Sequence, residues 1–156
     1  MLIKVLGFSL LIPIAVSVLA EERRASQEKL EALAEIKRLI EHMEQRVRIG
    51  MLTFDKIVQE YAADCHSWLS RLLLSDDFTI RDADAHVLCE ADLKVLCELL
   101  RSFGSSLRDK ELERLEAASS YFSKAFAGAL EKHEKNGKIY PLLLFGALAA
   151  LFILII

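Results

Sequence analysis

The sequence predicts an all-α fold: a cytoplasmic helical bundle of about five to six helices, flanked by N- and C-terminal transmembrane helices. Three observations carry the prediction. Apolar residues recur at helical spacings through most of residues 26–135. Glycine and proline are scarce, six and two in 156 residues, which favours helices over strands. The two ends are apolar stretches with almost no charge. No strand alternation, repeat, low-complexity run or long linker interrupts the pattern.

Residues 2–20 carry one charge, Lys4. About 20 apolar residues span a hydrocarbon core of ~30 Å. The stretch has two readings. Lys4, the apolar run and Val18-Leu-Ala20 before Glu21 have the layout of a cleaved signal peptide. The same residues suit a retained helix, in which Pro13 is tolerable.

From residue 26, Leu33, Ile36, Ile40, Met43 and Val47 form one helical stripe, with Glu, Lys and Arg on the other faces and Gly50 as a natural stop. This helix is expected to run on directly from the N-terminal segment. Thr53 suits the cap of a second helix, with Asp55 in its first turn and Phe54, Ile57, Val58 and Tyr61 on its apolar face. A third holds Trp68, Leu69, Leu72 and Leu73, ended by Ser75-Asp76-Asp77. Residues 79–88 make a short, weakly patterned segment with Ile80, Ala83 and Val87 on one face. Residues 91–103 are clearer: Leu93, Leu96, Leu100 and Phe103 share a face flanked by Cys97 and Leu99, and Gly104-Ser105-Ser106 breaks the helix.

A long helix follows over residues 108–135, with Leu115, Ala118, Phe122, Ala125 and Ala129 in register. Asn136-Gly137 and Pro141 are expected to allow a bend or short break, Pro141 sitting near a new helix start. Residues 139–156 hold no charged side chain and are long enough to span a bilayer. Within them Gly146-x-x-x-Ala150 has the spacing of a helix-packing motif, although small residues are common in such helices.

The basic residues give an orientation. Arg23, Arg24 and Lys29 follow the first apolar segment; Lys132, Lys135 and Lys138 precede the last; only Lys4 lies outside both. The positive-inside rule places residues 21–138 in the cytoplasm and both termini outside, a hairpin that favours the retained anchor. Glu21, Glu22, Glu131 and Glu134 dilute the charge but weigh little in this rule. The expected organisation is therefore a transmembrane helix over residues 2–20, a cytoplasmic helical domain over 21–138 and a transmembrane helix over 139–156.

Charge excludes one class of partner. Setting aside Lys4 from 20 basic residues leaves 19 against 23 acidic ones over residues 21–138, a net −4. Nucleic-acid binders need a basic excess, so none is expected.

Enzyme chemistry is not visible. The three cysteines, Cys65, Cys89 and Cys97, include no Cys-x-x-Cys and read as reduced, buried thiols. Cys65-His66 with His86-x-x-Cys89 supplies four zinc-type ligands, but adjacent residues on a helix diverge by ~100° and the spacings are wrong. Asp76, Asp77, Asp82 and Asp84 lack the glycine and distal glutamate of a calcium loop. No phosphate loop, Gly-x-Ser-x-Gly or dinucleotide fingerprint occurs. No catalytic residue, metal ligand or cofactor site is therefore assigned. What remains is docking, for which the charged helix faces bearing Arg46, Arg48, Arg108, Lys110 and Arg114 are the candidates, although such faces are usually only solvated.

The order of these features resembles the stage III sporulation protein AB family of spore-forming bacteria. The carrying residues are Leu33-x-x-Ile36-x-x-Leu39-Ile40-x-x-Met43-x-x-x-Val47 leading to Leu52-Thr53, then Asp92-x-x-x-Leu96 leading to Phe103-Gly104, then Lys135-Asn-Gly137-Lys138-Ile-Tyr140 entering the last apolar segment. The similarity covers essentially the whole chain, and its most specific piece is that last entry. Departures are Phe54 where a proline is common, Arg108 after Leu107, no downstream glutamine in the long helix and no tryptophan near residues 83–87.

The resemblance implies a fold similar to the cytoplasmic domain of type II secretion F-type platform proteins. It implies a non-enzymatic part of the channel between mother cell and forespore, in the cell membrane on the mother-cell side. Its partners would be a secretion-type cytoplasmic ATPase and other stage III channel proteins; a homo-oligomer is also compatible. The alternative from another class is an exported helical binding module, anchored at its C-terminus after signal-peptide cleavage at Ala20–Glu21. A third is a small enzyme on a helical scaffold.

Overall fold

The structure, a computed structural model, describes the backbone of residues 2–50, 53–64, 68–74 and 87–155 and the side chains of 17–50, 53–63, 68–74, 87–138 and 146. Among the described residues it is all-helical, with no strand: α1 (Leu2–Ile49), α2 (Phe54–Asp64), α3 (Trp68–Leu73), α4 (Glu90–Ser102) and α5 (Arg108–Ile155). Two compact units divide it, Lys29–Ala127 on one hand and Met1–Glu28 with Gly128–Ile156 on the other.

The Lys29–Ala127 unit holds the core. Ala32, Leu33, Ile36, Leu39, Ile40, Met43 and Val47 of α1 are all buried, the expected stripe with Ala32 and Leu39 added. The helix ends at Gly50, whose φ of +93° only glycine adopts cheaply and whose N–H returns to the Val47 carbonyl at 3.1 Å. Thr53 takes the N-cap position of α2: its carbonyl accepts the N–H groups of Lys56 and Ile57, and Asp55 lies in the first turn. Ile57, Val58 and Tyr61 are buried, and α2 packs on α3, which buries Leu69, Leu72 and Leu73. The Phe54 ring meets Phe103, at the end of α4, with centroids 5.5 Å apart.

α4 buries Leu93, Leu96, Leu99 and Leu100 and stops before Gly104, whose φ is +80°. α5 buries Leu115, Ala118 and Phe122. Ala125 and Ala129, expected on the same stripe, are only half-buried. α4 begins at Glu90, level with Tyr121, so farther along α5 has no α4 to pack against.

The unit made of Met1–Glu28 and Gly128–Ile156 pairs two helical segments. Arg23 donates to the Gly137 carbonyl at 3.2 Å, and Ser26 Oγ lies 3.0 Å from His133 Nδ1. As residue number rises on one segment it rises in the opposite direction on the other, so these segments run antiparallel.

Two expectations need correction. α5 does not break at Asn136-Gly137 or Pro141 but continues as one helix to Ile155, with Pro141 in its interior. An interior proline removes the N–H that would bond the carbonyl four residues back. That carbonyl is Gly137, and Arg23 supplies the missing donor. Cys89 is exposed rather than buried, because it sits at the N-cap of α4 in extended backbone. α3 ends at Leu73, and the Leu74 N–H returns to the Ser70 carbonyl.

The expected ending at Ser75-Asp76-Asp77, the segment 79–86 and the pairs Cys65-His66 and His86-x-x-Cys89 lie wholly or partly outside the described residues, as do Asp82 and Asp84. Among the described residues no helix is long and apolar enough to cross a membrane. The stretches 2–20 and 139–156 lie mostly outside the described side chains; Gly146 is exposed.

Candidate functional site

The five basic residues singled out for docking meet at two places. Arg46 and Arg48 occupy the last turn of α1, and Arg108, Lys110 and Arg114 the start of α5. Arg108 donates to the Arg48 carbonyl, one of the last four that α1 cannot bond internally. Arg48 bonds Glu44 at 2.6 Å and lies 3.7 Å from Glu116, joining α1 to α5. Arg46 bonds Glu60 of α2 at 2.9 Å. Arg114 donates to the Ser102 carbonyl at 3.2 Å, capping the end of α4 with a cation where the helix dipole favours one. Four of the five are thus engaged within the chain, and Lys110 is left exposed. Exposed pairs of this kind contribute little each, about 0–1 kcal/mol.

Beneath the arginines lies a carboxylate whose burial the sequence does not reveal. Glu111 is 2% exposed. Its Oε1 accepts the Ser106 N–H at 3.0 Å and lies 3.6 Å from Arg114 Nη1. The apolar Leu107 at the N-cap cannot bond the freed N–H groups, and Glu111 reaches back in the manner of a capping box. Its second oxygen is buried without a hydrogen bond.

Asp92 is the second buried carboxylate, 4% exposed. Tyr121 of α5 donates to Oδ1 at 3.0 Å, and Lys29 of α1 lies 4.0 Å from Oδ2. Desolvation first, then the hydrogen bond and charge of Asp92 and the nearby Cys89, push the Tyr121 phenol above its usual value. Three helices therefore converge on one side chain. The sequence marks Asp92 only as part of a motif; nothing local points to Tyr121, 29 residues away.

An open groove of about 320 Å³ runs between α4 and α5. Val95, Leu99, Ala117 and Ala118 line it, with Arg114 and Tyr121 also on its wall. Small residues at 117 and 118 create the space. Glu98 and Ser102 complete the lining, and the groove is open to solvent, unlike the enclosed pockets of small-molecule sites.

Chemistry for catalysis is sparse. Burial raises the Cys97 thiol, against the pull of Arg101, which disfavours the reactive thiolate. Ser26 and His133 have nucleophile–base spacing, but among the described residues no carboxylate orients the imidazole. Among the described residues no group of three or more His, Cys, Asp or Glu side chains is placed to hold a metal ion.

In the hairpin unit the flanking cations divide. Arg24 bonds Glu28 at 3.0 Å and Lys135 bonds Glu131 at 2.6 Å, whereas Arg23, Lys132 and Lys138 are exposed and have no acidic partner among the described residues. No protein-family model, no curated protein and no solved structure matches the chain.

Proposed function

We propose that this chain is a non-enzymatic membrane platform: two apolar ends anchor a helical bundle, and the bundle docks other components of a secretion-type channel. The observation that carries the reading is continuity. α1 and α5 are each single helices of 48 residues, about 72 Å long at 1.5 Å per residue. Each runs without interruption from a core stripe into an apolar end, which holds the single charge Lys4 in α1 and none in α5. α1 is unbroken across Ala20 and Glu21, as a retained anchor requires. Cations gather on the inner side of both ends, which supports a cytoplasmic bundle under the positive-inside rule.

The bundle supports docking over catalysis. Of its buried carboxylates, Asp92 joins helices and Glu111 caps the start of α5, and its groove is open. The resemblance to stage III sporulation protein AB supplies the kind of partner, a cytoplasmic secretion-type ATPase and other channel proteins. The test is deletion of the gene in its native host, which this reading requires to be a spore former. Development should arrest after engulfment begins and recover on complementation; normal sporulation without the gene contradicts the proposal.

A further inference from the structure

Arg23 and Lys138 come from opposite ends of the chain, and the hairpin unit brings them to one level. The Arg23 guanidinium is hydrogen-bonded at 3.2 Å to the carbonyl of Gly137, the residue directly before Lys138. Both side chains are exposed. A guanidinium carries five N–H donors in a fixed fork, and the bond to Gly137 engages only its Nη2. Arg24 and Lys135 are neutralised by Glu28 and Glu131, but no acidic side chain among the described residues pairs with Arg23 or Lys138. Glu21 and Glu22 precede Arg23 and are exposed, yet neither pairs with it or with Lys138.

We propose that Arg23 and Lys138 together bind the phosphate of an anionic lipid headgroup. The inference rests on the membrane placement given above. Under it the apolar stretches end at Ala20 and begin at Ile139, less than one helical turn from either cation, so both sit at headgroup depth. A guanidinium fork matches two phosphate oxygens, and an ammonium adds a compact charge beside it. Lys132 also has no acidic partner among the described residues, but at six residues, about 9 Å along the helix, it is too far from Lys138 to share one phosphate.

The test uses the full chain in neutral detergent, titrated with mixed micelles containing phosphatidylglycerol or phosphatidylcholine, with retained lipid counted by native mass spectrometry. Wild type is compared with R23Q/K138Q and with R24Q/K135Q, which lose the same formal charge. Wild type should prefer phosphatidylglycerol. R23Q/K138Q should bind it roughly 30-fold more weakly, from about fivefold per cation, and R24Q/K135Q within about threefold of wild type.

K138Q alone leaves the Arg23–Gly137 bond in place and should lose about fivefold, so a folding failure of the double variant does not spare the idea. Equal losses in the two double variants, no preference for phosphatidylglycerol, or equally tight binding of inorganic phosphate alone would each overturn it. Carbonate extraction of the same chain from membranes separates the two claims. A chain released by carbonate defeats the platform reading as well; an anchored chain with no lipid preference defeats this inference alone.

Discussion

The Tyr121 hydroxyl donates a 3.0 Å hydrogen bond to Asp92 Oδ1, joining the first turn of α4 to the N-terminal third of α5 around a carboxylate that is 4% exposed. Lys29 approaches the other oxygen from α1. A buried acceptor that loses its donor keeps its desolvation cost, so Asp92 is where the bundle is most sensitive to a single polar change. D92A should destabilise the chain by about 2–3 kcal/mol, and Y121F by about 1–2 kcal/mol. D92N keeps an acceptor for Tyr121 and should fall between wild type and D92A. Urea titration in mild detergent, followed by Trp68 fluorescence, measures all three; D92A as stable as wild type would remove the clamp from the account.

The same contact predicts a pH response. The folded-state value of Tyr121 is raised, so the folded chain favours the protonated phenol. Its contribution is fully present below the unfolded value of about 10 and is lost as pH rises through the higher folded value. A difference titration of tyrosinate absorbance, wild type minus Y121F, isolates this group. Its midpoint should lie above the ordinary value and move down in D92A.

Glu111 gives a different signature, because its bonded oxygen meets a backbone N–H. E111A should cost about 1–3 kcal/mol by leaving the Ser106 N–H unpaired, whereas E111Q retains an acceptor and should cost less. Similar losses in both variants would mean that the charge next to Arg114, rather than the cap, sets the effect.

Arg23 and Pro141 should be energetically coupled. In wild type Arg23 bonds the Gly137 carbonyl that Pro141 deprives of a helical donor. P141A restores that N–H, so R23Q should cost about 1 kcal/mol in wild type and little in a P141A background. Purely additive changes in a double-mutant cycle would show that the bond is incidental.

The α1 stripe from Leu33 to Val47 is legible in the sequence because every position obeys one period and one neighbour set covers it. The turns at Gly50 and Gly104 are equally legible, since each needs a positive φ. The unbroken α5 is not: Asn136, Gly137 and Pro141 are local breakers, and the group that compensates them, Arg23, comes from the far end of the chain. Asp92 enters the sequence reading only within a motif and Glu111 not at all, for their burial depends on Tyr121, Lys29 and the α4–α5 turn. Arg108 and Arg114 read as surface charge for the same reason; the carbonyls they cap belong to other helices.

The central claim, a bundle held between two retained anchors, is tested most directly by the intact mass of the chain extracted from its native membrane. The account predicts a mass that includes residues 2–20, with α1 continuous through Ala20 and Glu21. A mature chain beginning at Glu21 would contradict the hairpin and leave an exported module anchored at one end.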